Sequence, residues 1–309
     1  MLTRRNFVTT TLGAGAALAT QAPRHAMAQV DRRRITDAQI HLWKAESDDW
    51  KWTPGLTPQL PEPFTIERAV SMMDEAGIDR AVIVPPSWPG DRNDYALEAV
   101  KRYPTRFRVM GRFPLQDPKA LDLLPKWKEQ PGMVGVRLTF NNSQNIPWLT
   151  DGTADRFWPV AEKAGLPIMF FAPGRTLALG PIAEKHPQLQ LIIDHMNASA
   201  AMMREGKLDD VIGQCVSLAK YPNISVKVSN SPQLSREPYP FKDVAGILKR
   251  VIDAYGPQRS YWGTDLTNSY AKASYRQRIT HFTEELSFLS ESDKDLIMGR
   301  AISERLKWT

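Results

Sequence analysis

The feature that most constrains the fold is a regular alternation of short apolar runs with amphipathic segments along almost the whole chain. The runs are bounded by Gly, Pro or Asp, which is typical of strands buried on both faces of a parallel sheet. Their spacing is close to the ~30 residues of a βαβ unit. Eight strands are predicted, at 35–40, 81–84, 107–112, 132–138, 167–171, 190–194, 224–228 and 259–262.

Eight strands that alternate with helices predict an α/β fold, the (β/α)₈ TIM barrel, in one domain over residues 29–309. The alternative, an open doubly wound sheet, is disfavoured because no G-x-G-x-x-G turn follows the first strand. A long loop at 46–63 follows that strand and is expected to act as a lid. Helices are predicted at 66–75, 95–103, 119–129, 155–164, 177–185, 208–220 and 244–255, with two more in 270–308.

The N-terminus has the pattern of an export signal. Arg4 and Arg5 form a twin-arginine pair, a mildly apolar run follows at 9–20, and Ala26-Met27-Ala28 is a small-x-small cleavage signature. The run is too short and too rich in Gly, Ala and Thr to span a bilayer. Residues 1–28 are therefore predicted to be a twin-arginine signal peptide, which makes the mature protein periplasmic with no membrane attachment after cleavage.

Charge and cysteine usage exclude some classes of function. The net charge of +6 falls to +3 without the predicted signal, which carries three arginines and no acid. Because no Lys/Arg block with interleaved aromatic residues follows, nucleic-acid binding has no support. The lone cysteine, Cys215, lies in an amphipathic helix pattern and is expected to be a buried apolar residue rather than a nucleophile.

Polar and charged residues gather at the ends of the predicted strands. In a barrel the carboxyl ends of the strands carry the chemistry. Gln39 and His41 share the strand period of two, so both are expected to face the barrel mouth. The other candidates, in chain order, are Arg112, Arg137, Arg175, Asp194, His195, Lys227, Ser229 and Asp265.

This series resembles the amidohydrolase-2 family of the amidohydrolase superfamily, over the whole mature chain. D-A-Q-I-H-L-W at 37–43 is similar to the opening D-[AT]-H-x-H-x-W of that family. I-D-H at 193–195 and W-G-T-D at 262–265 look like its sixth- and eighth-strand motifs. N-I-S-V-K-V-S at 223–229 is similar to a strand of its sugar-lactonase and 2-pyrone-4,6-dicarboxylate hydrolase members. The resemblance implies a TIM barrel that hydrolyses lactones.

The resemblance also implies a divalent metal, but this chain departs from the ligand pattern. Gln39 replaces the first histidine, and strand five offers no histidine. His41, His195 and Asp265 remain, and three ligands plus water can hold a zinc-like ion. A single divalent metal on these residues and catalysis without a metal are both compatible with the sequence, and we favour the second.

The expected reaction is hydrolysis of a small carboxylated lactone or related ring ester. Asp265, near His195 and His41, would act as general base toward water. The cationic strand ends suit an anionic substrate, because a guanidinium binds a carboxylate bidentately. The residues expected to bind substrate are Arg112, Arg137, Lys227, Ser229, Tyr239 and Gln39, with Trp43 in an aromatic wall.

Two other functions are compatible with the sequence. One is a metal-dependent decarboxylase of an aromatic or unsaturated acid, which the lost ligands disfavour. The other is a non-catalytic periplasmic binding protein, which has no need of Asp265. The sequence does not identify the substrate, and a homo-oligomer is left open.

Overall fold

A computed structural model describes residues 32–308, so the predicted signal peptide lies outside the described residues. The eight predicted strands are all present and pair in parallel in the order β1 to β8. This confirms the predicted α/β barrel and excludes the doubly wound sheet. The strands are β1 (Thr36–Ile40), β2 (Arg80–Ile83), β3 (Phe107–Arg112), β4 (Met133–Thr139), β5 (Ile168–Phe171), β6 (Leu191–Ile193), β7 (Ile224–Lys227) and β8 (Ser260–Tyr261).

Backbone hydrogen bonds beside β1 and β8 close the barrel. The Ala38 amide donates to the Trp262 carbonyl at 3.1 Å, and the Asp265 amide donates to the Gln39 carbonyl at 3.0 Å. Gly263 lies between these bonds, where an added Cβ would come within 3.2 Å of the Gln39 nitrogen. The last strand therefore approaches the first closely enough to place Asp265 beside Gln39.

The helices surround the barrel in the predicted order. They are α1 (Ile66–Ala76), α2 (Asp94–Arg102), α3 (Phe157–Lys163), α4 (Leu179–Lys185), α5 (Ala200–Arg204), α6 (Leu208–Ser217), α7 (Ser231–Leu234), α8 (Lys242–Tyr255), α9 (Tyr275–Thr280), α10 (Glu291–Asp295) and α11 (Ala301–Arg305). Within residues 32–308, no helix combines the length and the apolar character that a membrane crossing requires.

The segment Pro118–Glu129, predicted as an α-helix, is a 3₁₀ helix instead. Pro125 lies inside it, and proline has no N–H to donate and clashes with the preceding turn of an α-helix. The C-terminal segment forms two helical stretches, as expected. A π-helical turn follows α9 at His281–Glu285, and another joins α10 to α11 at Leu296–Arg300.

Helix α1 shows how local sequence sets these elements. The Thr65 side chain accepts a hydrogen bond from the Arg68 amide and caps the helix, and Gly77 ends it in the left-handed conformation. Its buried residues, Ile66, Ala69, Met73 and Ala76, recur at helical spacing and pack against the barrel.

Apolar side chains fill the lower half of the barrel interior. They come from the strands and from α11 with the residues that follow it, which together span 301–308 and plug the amino end. The set comprises Ala38, Val82, Val84, Met110, Met169, Ile192, Tyr261, Ala301, Ile302, Leu306 and Trp308. With that end filled, a ligand cavity can open only at the carboxyl ends of the strands.

Candidate active site

A cavity of about 340 Å³ opens at the carboxyl ends of the strands. Gln59, from the long loop after β1, is one of its lining residues, so this loop covers part of the mouth, as a lid would. The lining residues with polar side chains are Gln39, His41, Gln59, Ser87, Trp88, Arg137, Thr139, Asn141, His195, Ser199, Gln233, Asp265 and Asn268.

Three neighbouring strands end in residues with left-handed backbones. His195 follows β6 with φ 51°, Asn230 follows β7 with φ 58°, and Asp265 follows β8 with φ 46°. Such a conformation costs roughly 1–2 kcal/mol in residues other than glycine, least for Asn and Asp. Backbone strain of this kind is found where side chains must be directed toward one site. Here the left-handed conformation directs the side chains of His195 and Asp265 into the same cavity.

His41 and Asp265 are in contact at the floor of the cavity. His41 Nδ1 donates to the Val84 carbonyl at 2.6 Å, and His41 Nε2 lies 2.9 Å from Asp265 Oδ1. A carbonyl only accepts hydrogen bonds, so Nδ1 carries a proton, and this bond fixes the ring with Nε2 toward Asp265.

The second carboxylate oxygen of Asp265, Oδ2, accepts two hydrogen bonds. Asn230 and Asn268 donate to Oδ2 at 2.9 and 2.6 Å, and His195 Nε2 lies 3.5 Å away. Burial alone would raise the pKa of Asp265. The nearby histidines and the hydrogen bonds from His41 and Asn268 outweigh burial and hold that pKa well below its ordinary value. The carboxylate is consequently ionised at every working pH.

His195 is held as a neutral imidazole. Burial lowers the pKa of His195 to about 4, although the two neighbouring aspartates act in the opposite direction. Its Nδ1 lies 2.7 Å from Ser229 Oγ, and its Nε2 lies 3.0 Å from the amide nitrogen of Gln39. Because an amide nitrogen only donates, His195 Nε2 is the acceptor and Nδ1 carries the proton, which goes to Ser229.

Behind Gln39 lies a buried charge cluster. Lys227 Nζ contacts Gln39 Oε1 and lies 2.7 Å from Asp194 Oδ1, while Arg137 Nε lies 3.2 Å from Asp194 Oδ2. Burial alone would raise the pKa of Asp194, but Lys227 and Arg137 lower it below its usual range. Burial lowers the pKa of Lys227, and Asp194 opposes that shift. One carboxylate thus neutralises part of the charge of two cations.

Arg137 is the cation that reaches the cavity. Its Nη1 donates to Thr139 Oγ1, and its guanidinium lies over the Phe171 ring at 5.4 Å. Its Nη2 makes no hydrogen bond within residues 32–308, and the side chain lines the cavity wall. This arrangement leaves donor capacity for an anionic ligand.

Several residues predicted to bind substrate lie elsewhere. Lys227 is fully buried and is engaged by Asp194 and Gln39, and Ser229 holds His195 rather than lining the cavity. Trp43 is fully buried against Trp88 and cannot form a cavity wall.

Three other predicted residues do not line this cavity. Tyr239 donates toward Glu285 and bonds Thr280 near α9, outside the cavity. Arg175 is exposed on the surface, and its guanidinium donates to the carbonyl of Gly174. Arg112 lies 3.3 Å from Asp91 in an adjoining cavity of about 420 Å³, which shares Arg137 and Thr139 with the first.

The structure also adds residues that sequence reasoning missed. Asn230 and Asn268 hold Asp265, and Gln59 and Gln233 line the cavity. Asn268 lies three residues after Asp265, a spacing that could have indicated a local contact. Asp37 holds the Thr264 amide at 2.8 Å and accepts from Tyr275 at 2.8 Å, so it anchors β1 to the loop that carries Asp265.

The donor set does not fit a resident divalent metal. Of the three side chains that could bind one, Asp265 is bonded by two asparagines and His41, and His195 accepts from Gln39. Gln39, at the position of the missing histidine, presents an N–H group rather than a lone pair. Within residues 32–308, no group of three or more His, Cys, Asp or Glu side chains has an arrangement suited to a metal ion.

Comparison with known proteins connects this cavity to one family and to lactone chemistry. The amidohydrolase family model matches residues 36–302. An L-fucono-1,5-lactonase of Burkholderia ambifaria is 25% identical over 240 residues, which is 74% of this chain and 79% of that protein. A 4-sulfomuconolactone hydrolase of Hydrogenophaga intermedia is 29% identical over 230 residues, which is 72% of this chain and 69% of that protein.

Solved structures share the fold. A protein described as a probable 2-pyrone-4,6-dicarboxylic acid hydrolase from Acinetobacter baumannii, with citric acid bound, superposes with a TM-score of 0.71 at 22% identity, over 89% of this chain and 100% of that chain. An amidohydrolase from Burkholderia multivorans with bound zinc superposes with a TM-score of 0.74 at 17% identity, over 89% of this chain and 99% of that chain. The fold thus accommodates a metal in at least one of its members.

Proposed function

Since this chain belongs to the amidohydrolase family, we propose that it is a hydrolase that opens a small lactone or related ring ester carrying an anionic group. The observation that carries the proposal is the placement of Asp265, with two histidines, and of Arg137 on one small cavity. The named lactone hydrolases among its relatives support the same reaction class.

Asp265 is the proposed general base. A water molecule in the cavity would lose its proton to the Asp265 carboxylate while its oxygen attacks the ester carbonyl. The lowered pKa of Asp265 makes it a weak base, and a weak base suits an ester whose carbonyl is already activated. Lactones in small or unsaturated rings meet this condition better than amides do.

Arg137 is the proposed anchor for the anionic group of the substrate. Arg137 lines the cavity, and the phenyl ring of Phe171 and the hydroxyl of Thr139 fix its guanidinium plane. A carboxylate or sulfonate fits such a planar donor. Of the other cations predicted at the strand ends, Lys227 is buried against Asp194 and Arg175 is exposed, so Arg137 is the cation that lines this cavity.

We assign no metal to the proposed reaction. The neighbour with bound zinc leaves a single divalent ion as the alternative in this fold. Against it in this chain stand the orientation of Gln39 and the hydrogen bonds already made by His195 and Asp265. The same residues disfavour a decarboxylase that depends on a metal. A binding protein without activity would have no use for a buried carboxylate that two asparagines orient at the cavity.

Turnover of a panel of lactones tests the proposal. Each lactone would be supplied as the free acid and as the neutral methyl ester, with and without a chelator. We expect ring opening of the acids, weaker turnover of the esters and no effect of the chelator. Decarboxylation of an aromatic acid that needs added metal, with no lactone opened, would replace this function with the alternative.

We also propose that the chain is exported to the periplasm by the twin-arginine route and acts there on a small anionic molecule. The support is the Arg4-Arg5 pair, the weakly apolar run at 9–20 and the cleavage signature that ends at Ala28. Small hydrophilic acids reach this compartment from outside the cell without crossing the inner membrane.

A further inference from the structure

We propose that Arg278 and Ser269 are positioning residues that orient Asp265 from outside the cavity. They begin a chain of hydrogen bonds that passes through Asn230 and ends on the Asp265 carboxylate. Neither Arg278 nor Ser269 lines the cavity, so neither contacts a ligand there. Their effect on catalysis rests on the proposed function, whereas their effect on the Asn230 side chain does not.

Arg278 is a buried cation at the outer end of this chain. It lies in α9, is 2% exposed and forms no salt bridge within residues 32–308. Burial lowers the pKa of Arg278 to about 10, so its guanidinium stays charged at neutral pH and can only donate hydrogen bonds. Nη1 donates to Ser269 Oγ at 2.9 Å, and the guanidinium also bonds the backbone carbonyls of Thr264, Ser269 and Ala273.

The direction of every later hydrogen bond follows from this donor. Because Ser269 Oγ accepts from Arg278, its own proton goes to Asn230 Oδ1, 2.7 Å away. The Asn230 amide oxygen therefore faces Ser269, and Nδ2 points in the opposite direction. Nδ2 donates to Asp265 Oδ2 at 2.9 Å and to Gln233 Oε1 at 2.8 Å. The amide cannot turn over without placing its oxygen against two acceptors.

Asn230 depends on Ser269 because its amide oxygen is buried. Asn230 is 4% exposed, and its left-handed backbone, with φ 58°, is a conformation that side chains adopt at a cost. Within the part of the chain that the structure describes, Ser269 is the residue whose side chain donates to Asn230 Oδ1. Without this donor a buried acceptor stays unsatisfied, which costs more free energy than the bond itself contributes. Loss of the Ser269 hydroxyl should therefore loosen the Asn230 side chain.

The charge of Arg278 favours the same arrangement. A buried cation without an ion pair is unfavourable, and charges that do not touch still interact in a site from which water is excluded. Burial is the main influence on the pKa of Arg278, and the Asp265 carboxylate is the strongest influence that opposes it. The chain of hydrogen bonds thus connects a buried cation to the carboxylate that compensates part of its charge.

A double-mutant cycle tests whether Ser269 acts through Asn230. Ser269→Ala removes the hydroxyl, and Asn230→Gly removes the amide while glycine accepts the left-handed backbone. We expect Ser269→Ala to lower kcat on a lactone acid by about 10-fold with KM little changed, and Asn230→Gly to lower it by at least as much. The double variant should be no slower than Asn230→Gly, because the bond to Asn230 is already lost. Losses of kcat that multiply would reject this route.

Two further variants separate the hydrogen bond from packing. Ser260→Ala is the matched control, since it removes a buried hydroxyl that bonds the Gly256 carbonyl at the amino end of β8. It should leave kcat and KM at wild-type values. Ser269→Thr keeps the hydroxyl and should recover most of the kcat that Ser269→Ala loses. Equal losses in Ser269→Thr and Ser269→Ala would assign the effect to packing and overturn the proposal.

Hydrogen exchange of the Asn230 amide tests the placement without any substrate. In the purified protein labelled with ¹⁵N-asparagine, the side-chain signal of Asn230 is the one missing from Asn230→Gly. We expect its hydrogens to exchange slowly with water in the wild type and in Ser260→Ala, and about 10-fold or more faster in Ser269→Ala. Unchanged exchange in Ser269→Ala would overturn the proposal. If the wild type opened no lactone, this measurement would still decide whether Ser269 holds Asn230.

Discussion

His41 Nε2 lies 2.9 Å from Asp265 Oδ1, and the two side chains are only 6% and 1% exposed. The contact places an imidazole nitrogen beside a carboxylate oxygen at the floor of the cavity. Because Asn230 and Asn268 occupy the other carboxylate oxygen, the orientation of Asp265 is fixed before any substrate binds. Fixed orientation of the reacting group is one way in which an enzyme lowers the barrier of an attack by water.

The first prediction is that Asp265→Asn abolishes turnover and leaves substrate affinity nearly unchanged. Asparagine has almost the same shape but cannot accept the proton of water, so kcat should fall by about 10²-fold or more while KM changes little. Steady-state kinetics on a lactone acid measures both. The control is Asp243→Asn, the same change at a carboxylate that bonds Ser235 outside the cavity. A variant with near-wild-type kcat would move the base to His41 or His195.

The second prediction concerns the anionic group of the substrate. Arg137→Met keeps much of the volume and removes the guanidinium, while Lys227 still neutralises Asp194. Loss of a charge-assisted hydrogen bond costs about 1.5–3 kcal/mol, so KM for a lactone acid should rise roughly 10- to 150-fold. The matching neutral ester should respond little.

Arg175→Met is the matched control for this prediction, because Arg175 is exposed and makes no side-chain contact with an acid in the described residues. It should leave KM for the acid and for the ester at wild-type values. If Arg137→Met raised KM equally for acid and ester, Arg137 would be a structural residue, and the inference of an anionic substrate would lose its main support.

The barrel and the centre of the site could be predicted from the sequence because both depend on strand periodicity. Apolar runs at a spacing of roughly 30 residues placed all eight strands. The carboxyl ends of those strands then brought Gln39, His41, His195 and Asp265 to one cavity. These residues come from three separate parts of the chain, the ends of β1, β6 and β8, yet the fold class alone determines that they meet.

The residues that contact the substrate were harder to predict. Whether a side chain reaches the cavity depends on its position along the strand and on the other side chains that it contacts. Lys227 lies deep enough for Asp194 to reach it, and no spacing rule indicates that partnership. Trp43 lies beyond the end of β1, where the alternation of inward and outward side chains no longer holds. Tyr239 is held by Thr280 and Glu285 from a helix that the sequence could not place next to it.

The third prediction concerns export. Changing Arg4 and Arg5 together to Lys should block transport, because the twin-arginine route requires the arginine pair, whereas lysine keeps the charge. Fractionation of cells into periplasm and cytoplasm, followed by N-terminal sequencing, should place the wild type in the periplasm with Gln29 as its first residue. The control is Arg24→Lys, outside the pair. Unimpaired export of the double variant would reject this route.

The fourth prediction concerns the dependence of stability on pH, and it depends on His281. This side chain is buried between Phe241 and Phe282, with ring centroids at 5.4 Å on each side. Its Nε2 has no hydrogen-bond partner in the described residues, and burial lowers its pKa to about 4. A histidine in the unfolded chain has a pKa of about 6.5. The unfolded state therefore binds a proton more readily than the folded state in the window between these two values.

Stability should consequently be insensitive to His281 above about pH 6.5 and should fall as the pH decreases toward 4. From pH 7 to pH 5 the contribution of His281 to this loss should be about 2 kcal/mol. His281→Phe keeps a ring between the two phenylalanines and cannot bind a proton. Between pH 7 and pH 5, the free energy of unfolding of the wild type should therefore fall by about 2 kcal/mol more than that of His281→Phe. Urea denaturation of both proteins at both pH values measures this difference. His195 and the carboxylates titrate in both proteins and cancel in the comparison. Parallel pH profiles for the two proteins would mean that His281 takes up a proton in the folded state as easily as in the unfolded chain.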